Sequence, residues 1–155
     1  MIELKGVSKS YNQGKVKAVD KLDLSVKAGE IFGFLGPNGA GKTTTIKMMV
    51  GLLQSDSGTI KINGYDLERE PLKVKQSISY VPDNPAVYEK LTGLEYLNFL
   101  ADVYGVSARK RKERMERFLE LFELTHAVGD LIQSYSHGMR QKLVLIGALL
   151  HQPDV

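Results

Sequence analysis

The stretch that decides the fold reads Gly36-Pro37-Asn38-Gly39-Ala40-Gly41-Lys42-Thr43, which fits the pattern G-x-x-x-x-G-K-[ST] at every fixed position. A loop that wraps phosphate oxygens must turn several backbone N–H groups inward, with dihedral angles that a Cβ atom would hinder. The three glycines supply that freedom. The Lys42 ammonium can reach the outer phosphates of a nucleotide, and the Thr43 hydroxyl can complete the shell of a magnesium ion. The pattern predicts a phosphate-binding loop.

The residues on either side predict the strand–loop–helix context that such a loop requires. Before the loop, Glu30–Leu35 is short, apolar and aromatic, which is typical of a buried parallel strand. After it, Thr44–Leu53 has an apolar stripe with helical spacing, namely Ile46, Met49, Val50 and Leu53. This helix is predicted to begin at Lys42 or Thr43, so that the positive end of its dipole faces the phosphates. A chance match is expected in on the order of one chain in a few hundred of this length.

The composition is that of an ordinary soluble globular chain. The 155 residues leave room for one domain, and the net charge of +3 is too small to indicate nucleic acid or an anionic membrane as a partner. The absence of cysteine excludes disulfides, thiolate metal sites and a cysteine nucleophile. The longest apolar run, Leu143–Leu150, is far shorter than the about 20 residues of a bilayer span. Because Met1–Lys5 lacks the apolar core of a signal peptide, we expect an intracellular chain that meets a membrane only through a partner.

The first half of the chain predicts mainly strands. Ile2–Val7 and Ala18–Val26 alternate apolar and polar residues, as half-buried strands do. Thr59–Ile62 is followed by Asn63-Gly64, a strong signal for a two-residue hairpin. The remaining predictions here are a return strand at 65–67, a short helix at Pro71–Gln76 and a strand at Ile78–Pro82.

From Asp83 onward the pattern predicts helices. Thr92 and Glu95 have the spacing of a capping box, and they open a helix that Gly105 stops. Ser107 can cap a second helix, whose basic run 109–112 is typical of a solvated face. A short third helix is predicted at 125–131. The apolar faces of the longer helices are predicted as Leu94, Leu97, Leu100, Ala101 and Tyr104, then Met115, Phe118, Leu119 and Phe122, and finally Leu143, Ile146, Leu149 and Leu150 before Pro153.

Together these features resemble the ATP-binding domain of ABC transporters, over the whole chain. Tyr11 stands where that family has an aromatic ring that stacks on adenine, with Val16 and Ala18 as apolar neighbours. Tyr135–Met139 stands where the family has its signature motif, Leu-Ser-Gly-Gly-Gln. Asp83 stands where the family has a glutamine that senses magnesium and the attacking water. The resemblance implies that Tyr11 and the loop from Gly36 to Thr44 hold ATP with Mg²⁺, and that Thr43 and Asp83 lie at the metal.

The signature stretch can be interpreted in two ways. Ser136 and Gly138 stand at a predicted helix start, where free N–H groups and the helix dipole favour an anion. Taken alone, Ser136 is better interpreted as a plain helix N-cap. The resemblance implies instead that the motif Ser136, His137, Gly138 and Met139 acts on a second copy of the domain. Ser136 and Gly138 would contact the γ-phosphate bound by that copy, so that two domains close head to tail around two ATP molecules.

The sequence departs from the family pattern within its motifs. His137 replaces a glycine of the signature, and Met139 replaces its glutamine. With Val81-Pro82-Asp83 upstream, this version looks like the branch that powers exporters with separately encoded membrane subunits. Asp83 puts a negative charge where the family has a neutral glutamine, and it could bind magnesium directly or through water.

A further departure is the end of the sequence. Family members continue past Pro153-Asp154-Val155 into the apolar Walker B strand, which ends in Asp-Glu-Pro, and later to a switch histidine. In the family that aspartate holds magnesium and that glutamate polarises the attacking water. His126, His137 and His151 do not match the switch histidine. We therefore expect these 155 residues to turn over ATP slowly or not at all, and to be marginally stable or to self-associate through uncovered sheet surface.

The sequence predicts an α/β fold: a P-loop NTPase core, with a parallel sheet and an antiparallel portion, plus a helical subdomain, the chain ending before the Walker B strand. The predicted divisions are 1–82 for the core, 83–133 for the helical subdomain and 134–155 for the signature and its helix.

The resemblance implies an ATP-binding subunit that hydrolyses ATP, in the complete protein, to drive transport. The implied partners are ATP, a second copy of the domain and a membrane-spanning subunit that contacts Asn84–Leu94, without nucleic acid, and the implied location is the cytoplasmic face of the cell membrane. A non-transport ABC ATPase and a nucleotide-binding module without turnover are the alternatives. A small-molecule kinase fits less well, because the stretch Tyr135–Lys142 would then have no purpose.

Overall fold

The computed structural model of this protein describes residues 1–84 and 86–155, which divide into two compact units. The first, called here the sheet unit, comprises residues 1–78 together with 154–155. The second, the helical unit, comprises residues 79–153. Each has a hydrophobic core of its own.

The sheet unit is built on four antiparallel strands in the order β2-β1-β3-β4. They are β1 (Ile2–Tyr11), β2 (Val16–Val26), β3 (Ser57–Ile62) and β4 (Tyr65–Asp66). The central strand β1 pairs with β2 on one side and with β3 on the other, so that Ile2 lies opposite both Val26 and Ile62. The predicted hairpin at Asn63-Gly64 is confirmed, because both residues have positive φ, at 52° and 83°, as a type I′ turn requires.

Two helices, α1 (Lys42–Met49) and α2 (Pro71–Ser77), cover this sheet, and both begin where the sequence predicts. The predicted apolar stripe of α1 is partly confirmed, because Met49, Val50 and Leu53 pack against the core, although the buried side chains of the helix are Thr45 and Met48. Thr45 tolerates burial because its hydroxyl donates to the Gly41 carbonyl at 2.9 Å. The core of the unit consists of Leu4, Val7, Val19, Met48, Ile60, Ile62, Val74 and Ile78.

Two predicted strands are not formed. Residues 30–35 and 78–82 have no strand conformation, and Ile31 and Leu35 are almost fully exposed. A strand exists only where a neighbour completes its ladder of hydrogen bonds, and the four strands of the described sheet pair only with one another. The sheet of residues 1–84 and 86–155 is therefore the antiparallel portion of the predicted fold.

The helical unit consists of α3 (Gly93–Val103), α4 (Ala108–Leu121), a 3₁₀ helix (Ile132–Ser134) and α5 (His137–Leu149). The predicted capping box of α3 is confirmed: the Glu95 N–H donates to Thr92 Oγ1 at 3.2 Å, and the Thr92 N–H donates to Glu95 Oε2 at 2.8 Å. The predicted stripe of α4 also faces the core, with Met115 and Leu119 buried. The core of the unit is formed by Tyr96, Leu97, Ala101, Val106, Met115, Leu119, Leu124, Ala127, Ile132, Tyr135, Leu143, Ile146 and Leu150.

The predicted apolar face of α3 is partly wrong. Leu94 is 44% exposed, and Tyr96 takes a place in the core that the sequence prediction did not give it. The spacing of apolar residues marks a helix, but neighbouring elements decide which side of it they cover. Among the helices of the described residues, none has the length and apolar character needed to cross a bilayer.

The short helix predicted at 125–131 is not formed, and this stretch is a series of turns. Its carbonyl groups serve other partners: those of Val128 and Asp130 accept from the first N–H groups of α3, and that of Ala127 accepts from the Tyr135 hydroxyl. Within the stretch the N–H groups of Ala127 and Asp130 donate to carbonyls three residues back, as in turns and not as in an α-helix. The stretch therefore supports the start of α3 and the approach to α5.

Candidate functional site

The phosphate-binding loop leads into α1 through backbone angles that only glycine adopts readily. Gly36, Gly39 and Gly41 all have positive φ, at 153°, 84° and 81°. Gly41 is the N-cap of α1, and a Cβ atom there would collide with the carbonyl oxygen of Ala18 on β2. Glycine at this position thus has two causes, its left-handed conformation and its close approach to the strand.

The first turn of α1 is left without a side-chain cap, because Gly41 has no side chain to offer. The first three N–H groups of a helix have no partner inside the helix, so here they remain available to an anion. Lys42 adds a positive charge at the same place. Its Nζ donates to the carbonyls of Gly36 at 2.6 Å and Pro37 at 2.7 Å, so the side chain arches back over the loop.

The remaining loop residues follow the same geometry. Pro37, Asn38 and Ala40 form a tight turn, in which the Ala40 N–H donates to the Pro37 carbonyl at 3.2 Å. Thr43 is exposed and Thr44 is half-buried in the first turn of α1. In residues 1–84 and 86–155, no group of three or more acidic or histidine side chains is placed to hold a metal ion.

Tyr11 is positioned at the turn end of the β1–β2 hairpin, where residues 12–15 connect the two strands. It lies directly opposite Val16 in the ladder, and the two side chains are 41% and 49% exposed. Ala18 follows Val16 by two residues, and therefore lies on the same face of β2, about 7 Å further along. Strand β2 therefore carries Val16, the partner of Tyr11 on β1, and it also supports the phosphate-binding loop through the Ala18 carbonyl.

The predicted signature residues lie at the start of α5, in the helical unit. Ser136 is the N-cap, and its Oγ accepts from the Met139 N–H at 3.3 Å. The interpretation of Ser136 as a helix N-cap is therefore confirmed. Ser136, His137 and Gly138 are exposed, whereas Met139 packs against the helical core. A Cβ atom on Gly138 would meet nothing within 4 Å, so this surface is open.

Several contacts that the sequence did not reveal hold this helix start in place. Arg140 donates to Glu89 Oε1 at 2.8 Å and to the Gln133 carbonyl at 3.1 Å. Tyr135 is buried, and its hydroxyl donates to the Ala127 carbonyl at 2.6 Å. The sequence offers one signal for this support, an aromatic residue directly before a predicted cap residue. It does not identify the partner of Tyr135, because that partner is placed by the turns at 125–131.

Asp83 lies in an irregular, exposed segment of the helical unit, whereas Thr43 belongs to the sheet unit. The sheet unit therefore brings together the phosphate-binding loop and Tyr11. Asp83 and the signature residues belong to the other unit.

Comparison with known proteins identifies the family. The sequence model described as "ABC transporter" matches residues 19–155. The linearmycin resistance ATP-binding protein LnrL of Bacillus subtilis is 41% identical over all of this chain and 49% of its own length. The daunorubicin/doxorubicin resistance ATP-binding protein DrrA of Streptomyces peucetius is 41% identical over 99% of this chain and 46% of its own length.

Solved structures agree with these relatives. The ATP-binding subunit of an ABC transporter superposes with a TM-score of 0.91 at 34% identity, over 99% of this chain and 63% of that one. The ATP-binding cassette MJ0796, solved as a dimer in a post-hydrolysis state with ADP and Pi, superposes with a TM-score of 0.86 at 26% identity, over 99% of this chain and 71% of that one. The chain spans about half the length of the curated relatives it matches. It is a member of the ABC transporter family, with the P-loop NTPase fold of the family's ATP-binding domains.

Proposed function

We propose that this chain is the ATP-binding part of a transporter, which binds ATP with Mg²⁺ and, in the complete protein, hydrolyses it to drive transport through a membrane-spanning partner. The observation that carries the proposal is the glycine-capped start of α1, where unpaired N–H groups meet the Lys42 ammonium. Backbone donors, a helix dipole and a cation converge there, and a polyphosphate satisfies all three.

In the proposed complex the phosphates lie in the loop from Gly36 to Thr44, and the adenine stacks on Tyr11 beside Val16. The exposure of the Tyr11–Val16 pair supports this, because an apolar edge open to solvent can take a flat aromatic base. Strand β2 contacts both parts, pairing with Tyr11 through Val16 and approaching the loop through Ala18, and this supports a single ligand that spans them.

Magnesium would be bound by the Thr43 hydroxyl together with phosphate oxygens. We propose that Asp83 acts at the same ion, directly or through water. Its exposure leaves the carboxylate free to approach a ligand.

The second copy of the domain is proposed to meet Ser136 and Gly138, with His137 and Met139 completing the motif. Their support is the open surface at Gly138 and the N-terminus of α5 beneath it. MJ0796, which this chain resembles, forms dimers. Each nucleotide would then lie between the loop of one copy and the α5 start of the other.

The membrane-spanning subunit is proposed to dock on the stretch 84–94 of the helical unit, at the cytoplasmic face of the membrane. Tyr88 is 59% exposed and contacts Phe99 edge-on, with ring centroids 5.7 Å apart. Aromatic side chains at the surface are typical of protein interfaces. The relatives named for drug resistance support an exporter, and the proposed cargo is therefore a drug-like molecule that moves outward.

We further propose that a polypeptide of these 155 residues alone hydrolyses ATP slowly or not at all. The sequence contains no Asp-Glu pair, the arrangement that supplies the magnesium ligand and the water-polarising carboxylate in the family.

Calorimetric titration of the full-length protein with ATP–Mg tests the proposal. We expect Lys42→Ala to weaken binding by at least about tenfold, because a charged hydrogen bond to phosphate is lost. Lys47→Ala is the matched control, since this exposed lysine stands in the last turn of the same helix and should leave the affinity unchanged. Equal affinity in all three proteins would show that the loop does not hold the phosphates.

A further inference from the structure

We propose that Tyr135 is a positioning residue, whose buried hydroxyl sets the start of α5 so that Ser136 and Gly138 can reach the nucleotide of a second copy. The inference rests on the proposed function of those two residues. The role assigned to Tyr135 depends on its hydroxyl group, and the aromatic ring alone would not fulfil it.

The hydroxyl of Tyr135 has one defined position. The residue is 4% exposed, and its O–H donates to the Ala127 carbonyl at 2.6 Å. A buried phenol without a partner is costly, so the side chain is held at the depth where this bond forms. Burial, followed by the nearby charge of Asp130, raises the pKa of the Tyr135 phenol, which keeps it a donor at neutral pH.

The start of α3 closes the other side of the same hydroxyl. A Cβ atom on Gly93 would collide with the Tyr135 hydroxyl and would lie 3.1 Å from the Val128 carbonyl. The backbone of α3 is held at this place, because the N–H groups of Gly93 and Leu94 donate to the carbonyls of Asp130 and Val128 at 3.2 and 2.8 Å. The hydroxyl is thus enclosed between the start of α3 and the turn at 127.

This enclosure reaches the functional surface through one residue. Tyr135 has extended backbone angles, φ −72° and ψ 138°, so consecutive side chains point to opposite sides. Tyr135 accordingly lies in the core and Ser136 lies at the surface. A shift of the ring moves the cap by a similar distance, and a misplacement of about 1 Å is enough to weaken a contact that depends on geometry.

The test uses full-length protein with the non-hydrolysable analogue adenylyl imidodiphosphate and Mg²⁺. Dimer formation is measured by analytical ultracentrifugation, and ADP affinity of the monomer by calorimetry. We expect Tyr135→Phe to weaken dimer association about fivefold, because the cap is no longer held in one position, while ADP affinity stays unchanged. Tyr96→Phe is the matched control, because it removes a phenol from the same core, and it should change neither quantity.

A double-mutant cycle separates positioning from simple loss of packing. Gly93→Ala should weaken dimer association by collision with the hydroxyl, and the two changes together should cost less than the sum of their separate effects. Additive effects, or an unchanged dimer constant in Tyr135→Phe, would overturn the positioning role.

Gly138→Asp distinguishes this failure from failure of the proposed function. The substitution is sterically free in the monomer, yet it places a negative charge where the γ-phosphate of the second copy would lie. We expect it to abolish nucleotide-driven dimer formation. If Gly138→Asp dimerises normally, the role of α5 toward a second copy is itself wrong, and the role of Tyr135 falls with it.

Discussion

Helices α1 and α5 both begin at candidate anion sites, but they satisfy their first turns in different ways. At α1 the cap residue is Gly41, in a left-handed conformation and without a side chain. At α5 the cap residue is Ser136, whose Oγ accepts from the Met139 N–H. One helix start is capped by backbone geometry alone, and the other by its own side chain.

The difference bears on what each helix can bind. The first N–H groups of α1 have no side-chain cap and are accompanied by Lys42, so this end offers backbone donors and a positive charge to an anion. The start of α5 has already satisfied one N–H group internally, and its first residues are exposed. Such a surface suits a phosphate that another molecule presents, which is the role proposed for it. The two helix starts would then act on the same nucleotide from different copies.

The largest effect on stability is expected from Gly41→Ala, which attacks the backbone cap of α1. A left-handed alanine costs about 1–2 kcal/mol, and the collision with the Ala18 carbonyl adds about 1–3 kcal/mol. Gly39→Ala is the matched control, because φ is similar there but a Cβ atom meets nothing within 4 Å. The free energy of unfolding, measured in urea for both variants, isolates the collision as their difference. Equal losses would mean that the loop is not seated against β2.

Much of this fold could be predicted because its signals are local. The hairpin at Asn63-Gly64 depends on two residues that adopt positive φ, and the capping box on a spacing of three. The phosphate-binding loop likewise depends on glycines within one short stretch. Each of these features is completed by hydrogen bonds or backbone angles within a few residues, so no distant part of the chain can overrule it.

The errors arose where distant partners decide the outcome. Residues 30–35 are apolar, but a strand needs a neighbour, and the described sheet provides none. Carbonyl groups of the turns at 125–131 accept hydrogen bonds from α3 and from Tyr135, and no local sequence pattern predicts these bonds. In the candidate site, the close approach of Gly41 to Ala18 and the support of α5 by Tyr135 could not be predicted, because both depend on contacts between distant parts of the chain. Residue types indicate the chemistry of the site, but only tertiary contacts indicate what holds it in place.

A smaller effect is expected at the side-chain cap of α5. Ser136→Ala should lower the free energy of unfolding by about 1 kcal/mol, because the Met139 N–H loses its acceptor. Ser107→Ala is the matched control, since Ser107 stands at the N-cap of α4 without a side-chain capping bond, and its loss should be clearly smaller. Urea unfolding of both variants makes the comparison. If the two serines cost the same, the hydrogen bond at α5 contributes nothing and the contrast with α1 loses its basis.

The smallest effect concerns α3, a helix start whose side chains satisfy one another. Hydrogen bonds from the Thr92 N–H and then from its hydroxyl lower the pKa of Glu95 below its usual value. A carboxyl whose pKa is lower in the folded state stabilises the fold above its unfolded pKa of about 4.3, and that contribution is lost as the pH falls through the folded pKa.

Glu95→Gln keeps an acceptor oxygen but does not titrate. We therefore expect the stability difference between the natural chain and Glu95→Gln, followed in urea, to be constant near neutral pH and to shrink in acid. Glu113→Gln, at an exposed carboxyl on α4, is the control against which this trend is compared. A stability difference that grows in acid would show that the cap does not stabilise the Glu95 carboxylate. The start of α3 would then resemble that of α1, with N–H groups that no side chain satisfies.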